Sequence, residues 1–73
     1  MANKGDKFLA KSIVPHVQDQ IVEFVGIQEI GIEDYPSFAI YNLTQDIAGH
    51  PKNSTVSKST LIDYGFVLPE EAP

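Results

Sequence analysis

The stretch Gln20-Ile21-Val22-Glu23-Phe24-Val25-Gly26-Ile27-Gln28-Glu29-Ile30 decides the fold. Dense in valine, isoleucine and phenylalanine, it reads as one long strand, because branched and aromatic side chains suit a pleated, half-buried surface. Its apolar residues occupy both parities: Val22, Phe24 and Ile30 on one face, Ile21, Val25 and Ile27 on the other. Simple alternation therefore fails. Either Gly26 marks a bulge or bend that swaps the faces, or both faces are covered. A helix competes for part of this segment. Leu9, Ile13, Val17, Ile21 and Val25 recur every four residues, which is helical spacing. A helix over about 14–25, with Pro15 in its first turn and Gly26 beyond its end, gives an alternative α+β fold with an N-terminal helix. The valine and isoleucine content favours the strand.

Downstream, Gly31-Ile32-Glu33-Asp34-Tyr35-Pro36 has turn residues at both ends. Ser37-Phe38-Ala39-Ile40-Tyr41-Asn42-Leu43-Thr44 then reads as the return strand of a hairpin. Upstream, Lys7–Val14 supplies a further strand. Gly49–Asn53 is a loop and Ser54–Ser57 a short strand. Thr60-Leu61-Ile62-Asp63 has the hydroxyl-then-carboxylate spacing of a capping box. It predicts one helical turn over Leu61–Tyr64 that points Leu61 and Tyr64 at the core, closed by Gly65 with positive φ. Phe66-Val67-Leu68 forms a last strand, ended by Pro69.

The expected fold is thus mostly β: five short strands, one long hairpin and a single helical turn before the last strand. In architecture this order resembles a small SH3-like barrel or sheet. Residues 7–68 are expected to form one domain. Residues 1–6 are polar and small, and 69–73 place two prolines around two carboxylates, so both ends are expected to be extended and flexible.

The whole chain has 73 residues, 42% of them hydrophobic, which fits a single small domain. It contains no cysteine. Disulfide staples, thiol nucleophiles and thiolate zinc sites are therefore excluded. The longest run of apolar side chains is Phe38–Tyr41, far short of the ~20 residues a membrane helix needs. No secretory signal is visible at the N-terminus, so a cytoplasmic location is expected. His16 and His50 are the only imidazoles, and neither has a second ligand at zinc spacing. The expectation is no metal and no cofactor, with His50 a solvated loop residue. No nucleophile elbow or phosphate-binding fingerprint occurs. A chain this small has little room for a pocket of ~300 Å³, so no enzyme activity and no catalytic residue is expected. The backbone amides of Pro51–Ser54, beside Lys52, are a minor candidate anion site.

Charge is the most distinctive feature. Five lysines face ten carboxylates, and the chain has no arginine, for a net charge of −5. Between Ser12 and Pro51 there is no lysine or arginine, while Asp19, Glu23, Glu29, Glu33, Asp34 and Asp46 give six negative charges. Such a stretch keeps a surface soluble, or it steers the protein to a basic partner. The functional expectation is a non-enzymatic protein-binding module, a small acidic accessory or inhibitor protein of the kind phages encode. Its contact residues would be Glu23, Glu29, Glu33, Asp34 and Tyr35, with Tyr35 as an exposed aromatic anchor.

Two alternatives stand beside it. Leu43–Ala48 followed by Ser54–Leu61 superficially resembles a helix-turn-helix DNA-binding unit. The acidic charge, the lack of arginine and Pro51 within the unit oppose direct nucleic-acid binding. A structural homo-oligomer, joined through the second apolar face of the hairpin, is the other.

Overall fold

A computed structural model of the chain describes residues 2–29, 31 and 37–73. Its elements are β1 (Lys7–Ser12), β2 (Gln20–Gln28), β3 (Phe38–Leu43), β4 (Thr55–Ser57), α1 (Lys58–Asp63) and β5 (Phe66–Val67). The strands form one five-stranded sheet in the order β4-β3-β2-β1-β5, and all neighbours are antiparallel. The expected mostly-β fold, with its helical turn before the last strand, is the one found.

The alternative N-terminal helix is corrected. Residues 14–19 form a turn and irregular chain, and β2 starts at Gln20. Pro15 is the physical reason. Its ring fixes φ near the value a turn needs at its first central position. His16 follows with φ 68°, and the Val17 N–H donates to the Val14 carbonyl at 3.3 Å. Proline followed by a left-handed residue is the pattern of a type II turn. The Asp19 carboxylate then accepts the Ser12 N–H at 2.7 Å, closing the loop between β1 and β2.

The mixed parity of β2 comes from a bulge. The register with β3 shifts between Phe24 and Gly26: Phe24 pairs with Tyr41, whereas Gly26 pairs with Ile40. One extra residue, Val25, reverses the alternation. Ile27 therefore stands opposite Ala39, on the same side of the sheet as Val22 and Phe24. Gly26 marks the swap, as one of the two readings required.

On that inner side lie Val22, Phe24, Ala39, Tyr41, Leu43, Val56 and Phe66, with Ala10 from β1 and Leu61 from α1. Tyr41 is fully buried at their centre. Its ring meets Phe24 edge-on at 5.8 Å and Phe8 at 6.5 Å. Its hydroxyl donates to the Pro73 carbonyl at 2.8 Å. Burial disfavours the phenolate and pushes the Tyr41 pKa above its ordinary value of 10.0.

Both ends make contacts with the body of the protein or within themselves, although residues 3–6, 70 and 71 are exposed. Ala2 packs against the core. The Gly5 N–H donates to the Phe24 carbonyl at 2.9 Å, and the Phe24 N–H donates to the Asp6 carbonyl at 2.8 Å. At the other end the Ala72 N–H donates to the Pro69 carbonyl at 3.0 Å and Ala72 is buried.

Helix α1 begins three residues earlier than predicted. Ser57, not Thr60, is the N-cap: its backbone is extended and its hydroxyl accepts the Thr60 N–H at 3.3 Å. Leu61 is fully buried as expected, but Tyr64 is 37% exposed and turns away from the core. Gly65 has φ +84°, the conformation foreseen for it. The helix-turn-helix alternative fails here. Residues 44–49 are not helical, and 55–57 are strand, so there is no first helix for α1 to pack against.

Candidate functional site

Four carboxylates of the acidic stretch, Asp19, Glu23, Glu29 and Asp46, lie among the described residues, and they occupy different parts of the fold. Asp19 and Asp46 serve the loops: Asp19 accepts the Ser12 N–H and Asp46 accepts the Lys52 N–H. Glu23 is half-buried on the outer side of β2, directly opposite Lys7 on β1 and Asn42 on β3. Directly opposed side chains on antiparallel strands are neighbours, so Glu23 stands beside a lysine rather than in a cation-free setting. Glu29 is exposed just past the end of β2. Glu33, Asp34 and Tyr35 lie outside the described residues. Of the five predicted contact residues, the structure thus places Glu23 in the sheet and Glu29 at the hairpin end of β2.

The candidate anion site is also corrected. The amides of its loop are already engaged: Lys52 N–H with Asp46, Asn53 N–H with the Leu43 carbonyl at 3.1 Å, and Ser54 N–H with the Pro51 carbonyl at 3.1 Å. A committed donor has nothing left for a phosphate.

What the sequence does not announce is a cleft of about 320 Å³ at the opposite end of β2. A pocket of that size was not expected in so small a chain. Three segments far apart in sequence meet there: the β1–β2 loop (His16, Val17, Gln18), the β3–β4 loop (Gln45, Asp46, Ile47, Ala48) and the α1–β5 junction (Tyr64, Phe66). Gln20, the first residue of β2, also lines it.

Local chemistry explains how each side chain is held. His16 projects from the left-handed position of the type II turn, a site usually left to glycine or asparagine. Histidine is among the few side chains that adopt that conformation with any frequency. Past β3, Ile47 and His50 bridge each other, with the Ile47 N–H donating to the His50 carbonyl at 2.9 Å and the reverse bond at 2.7 Å. The His50 ring meets Tyr64 edge-on at 5.6 Å. His50 is half-buried rather than the solvated loop residue expected, and its ring braces the tyrosine that lines the cleft. Gln20 is only 3% exposed. Its Oε1 accepts the Thr44 N–H at 3.3 Å, which ties β2 to the start of the β3–β4 loop.

The cleft holds one carboxylate, one imidazole, three carboxamides, one phenol and several apolar walls. No lysine, arginine, serine, threonine or cysteine is among its lining residues. The arrangement offers hydrogen bonds and apolar contact. Among the described residues no group of three or more histidines and carboxylates stands close enough to hold a metal ion. No helix of the described residues is long and apolar enough to cross a membrane.

Compared with protein-family models, with curated proteins and with solved structures, the chain finds no match.

Proposed function

We propose that this protein is a non-enzymatic binding module that docks on the basic surface of a partner protein. The hairpin between β2 and β3 makes the contact, through Glu23, Glu29, Glu33, Asp34 and Tyr35. One observation carries the reading: from Ser12 to Pro51 the chain has six carboxylates and no lysine or arginine. Glu29 supports it by standing exposed beyond the last paired residues of β2. Asp19 and Asp46 are assigned to loop closure instead, and Glu23 to a lesser role beside Lys7.

Charge reversal tests the proposal. In affinity capture at low salt, Glu33→Lys with Asp34→Lys is expected to lose the partner that the unaltered protein enriches, because opposed charges at such contacts chiefly steer association. Capture unchanged by the double substitution ends the hairpin reading.

A second reading, homo-oligomerisation, is favoured by a stripe on the outer side of the sheet. Leu9 pairs directly with Ile21, and Val67 stands opposite Lys11, two residues along β1 from Leu9. The three side chains are 42%, 40% and 50% exposed. Light scattering at two protein concentrations separates a monomer from a self-associating chain.

A further inference from the structure

The cleft at the other end of β2 contains a feature that the hairpin reading leaves unused. Gln20 is buried to 3% exposure, yet only its Oε1 has a protein partner. The Thr44 backbone N–H can only donate, so this bond fixes which end of the carboxamide is oxygen. The amino group is left with two N–H donors, and Gln20 lines the cleft. No fully shielded side-chain nitrogen or oxygen lacks a partner among the described residues, so the unpartnered Gln20 Nε2 retains access to solvent, in a residue that lines the cleft. A donor set at the base of a concave site, with apolar walls on either side, is the arrangement that orients a ligand carbonyl.

We infer that the cleft binds an extended, uncharged peptide segment of a partner protein. One backbone carbonyl of the segment accepts from Gln20 Nε2, and one apolar side chain packs against Val17, Ile47 and Tyr64. Three observations select this class. No lysine or arginine lines the site and Asp46 does, so an anionic phosphate or carboxylate ligand finds little attraction there. The walls combine amides with apolar surface, matching a main chain followed by a side chain. The cleft is half open and bounded by three separate segments, which suits a chain that enters and leaves rather than an enclosed small molecule. The site is independent of the acidic hairpin. It lies at the Gln20 end of β2, and the hairpin follows the Gln28 end, some 25 Å away at ~3.3 Å per residue.

The test is an amide-detected NMR titration of the full chain, in which glutamine side-chain N–H₂ signals report directly. The probes are acetylated, amidated pentapeptides of glycine with one central leucine, phenylalanine or glutamate, and the nucleoside uridine. The leucine and phenylalanine peptides are expected to shift the Gln20 side-chain signals together with the backbone of Val17, Ile47 and Tyr64. The glutamate peptide is expected to bind more weakly. Gln20→Glu keeps an oxygen for the Thr44 N–H and removes the donor, so it should weaken binding about tenfold, since a lost partner for a buried polar group is costly. The hairpin variant Glu33→Lys with Asp34→Lys should bind the peptides as the unaltered chain does, which separates this site from the hairpin. Should Gln20→Glu lose its folded spectrum, Tyr64→Ala, at an exposed position, is expected to weaken binding in its place. No shift with either apolar peptide overturns the inference. So does binding that survives both substitutions, and so does a uridine response at the cleft larger than the peptide response.

Discussion

The two ends of β2 are built on different principles. At the Gln20 end the strand enters the core: Val22 is fully buried, and Leu61, Phe66 and Leu43 are near it in the same cluster. Side chains there also tie the backbone of neighbouring segments, Gln20 to Thr44, Thr44 to the Ile21 carbonyl and Asp19 to Ser12. At the Gln28 end the pairing with β3 continues, but Ile27 is 53% exposed and Gln28 and Glu29 are exposed. The bulge at Val25 turns Ile27 to the inner side of the sheet beyond the reach of most core residues. One strand thus runs from a well-packed end, where loops are held in place, to an exposed end at residues 27–29.

Truncation of one residue at each end gives the sharpest contrast. Leu61→Ala, at a fully buried site, is expected to destabilise by about 2–5 kcal/mol. Ile27→Ala, at the half-exposed site, is expected to cost less than about 1 kcal/mol. Urea unfolding of both variants checks the pair, and equal losses would break the comparison.

An intermediate effect is expected at Gly65, where the packed end is tightest. A Cβ there would lie 2.3 Å from Val14 Cγ2, and φ is +84°. Gly65→Ala is expected to destabilise by about 1–3 kcal/mol. Combining it with Val14→Ala removes the steric part and leaves the backbone part. A double variant no better than Gly65→Ala would show that the close approach is already relieved.

A smaller effect than at Gly65 is expected at Tyr41. Its pKa is raised by burial, so the folded state holds the phenol proton more tightly than the unfolded state. Stability is therefore full below about pH 10, the unfolded value, and falls as pH rises through the higher folded value. Tyr41→Phe is expected to lose about 1 kcal/mol near neutrality, through the missing bond to the Pro73 carbonyl. Its stability should then decline less steeply above pH 10. Thermal unfolding across the alkaline range reads both effects.

Much of the fold was legible because its signals are local. The hairpin strands declared themselves through branched and aromatic residues, Gly26 through broken alternation, and Gly65 through its place after a helical turn. Where two local signals competed, spacing alone misled. Thr60 and Asp63 have capping-box spacing, yet Ser57 caps the helix because β4 delivers it there in an extended conformation. Leu9, Ile13, Val17, Ile21 and Val25 have helical spacing, yet Pro15 and His16 make a turn between two strands. The cleft gave no signal at all. Its glutamines are ordinary surface residues by composition, and only the folded sheet buries Gln20 to 3% exposure.

By itself, then, the sequence pointed to the strand-rich class, to Gly26 as one candidate for a break in alternation and to Gly65 as the final turn, and it determined the absence of basic residues through its middle. These depend on steric preference and charge, which each residue carries with it. Tertiary structure alone decided that Ala2 packs against the core, that Asp19 and Asp46 close loops while Glu23 lies in the sheet, and that three distant segments enclose a cleft. Those outcomes depend on which surfaces meet, and contacts between residues far apart in sequence exist only once the sheet has brought them together.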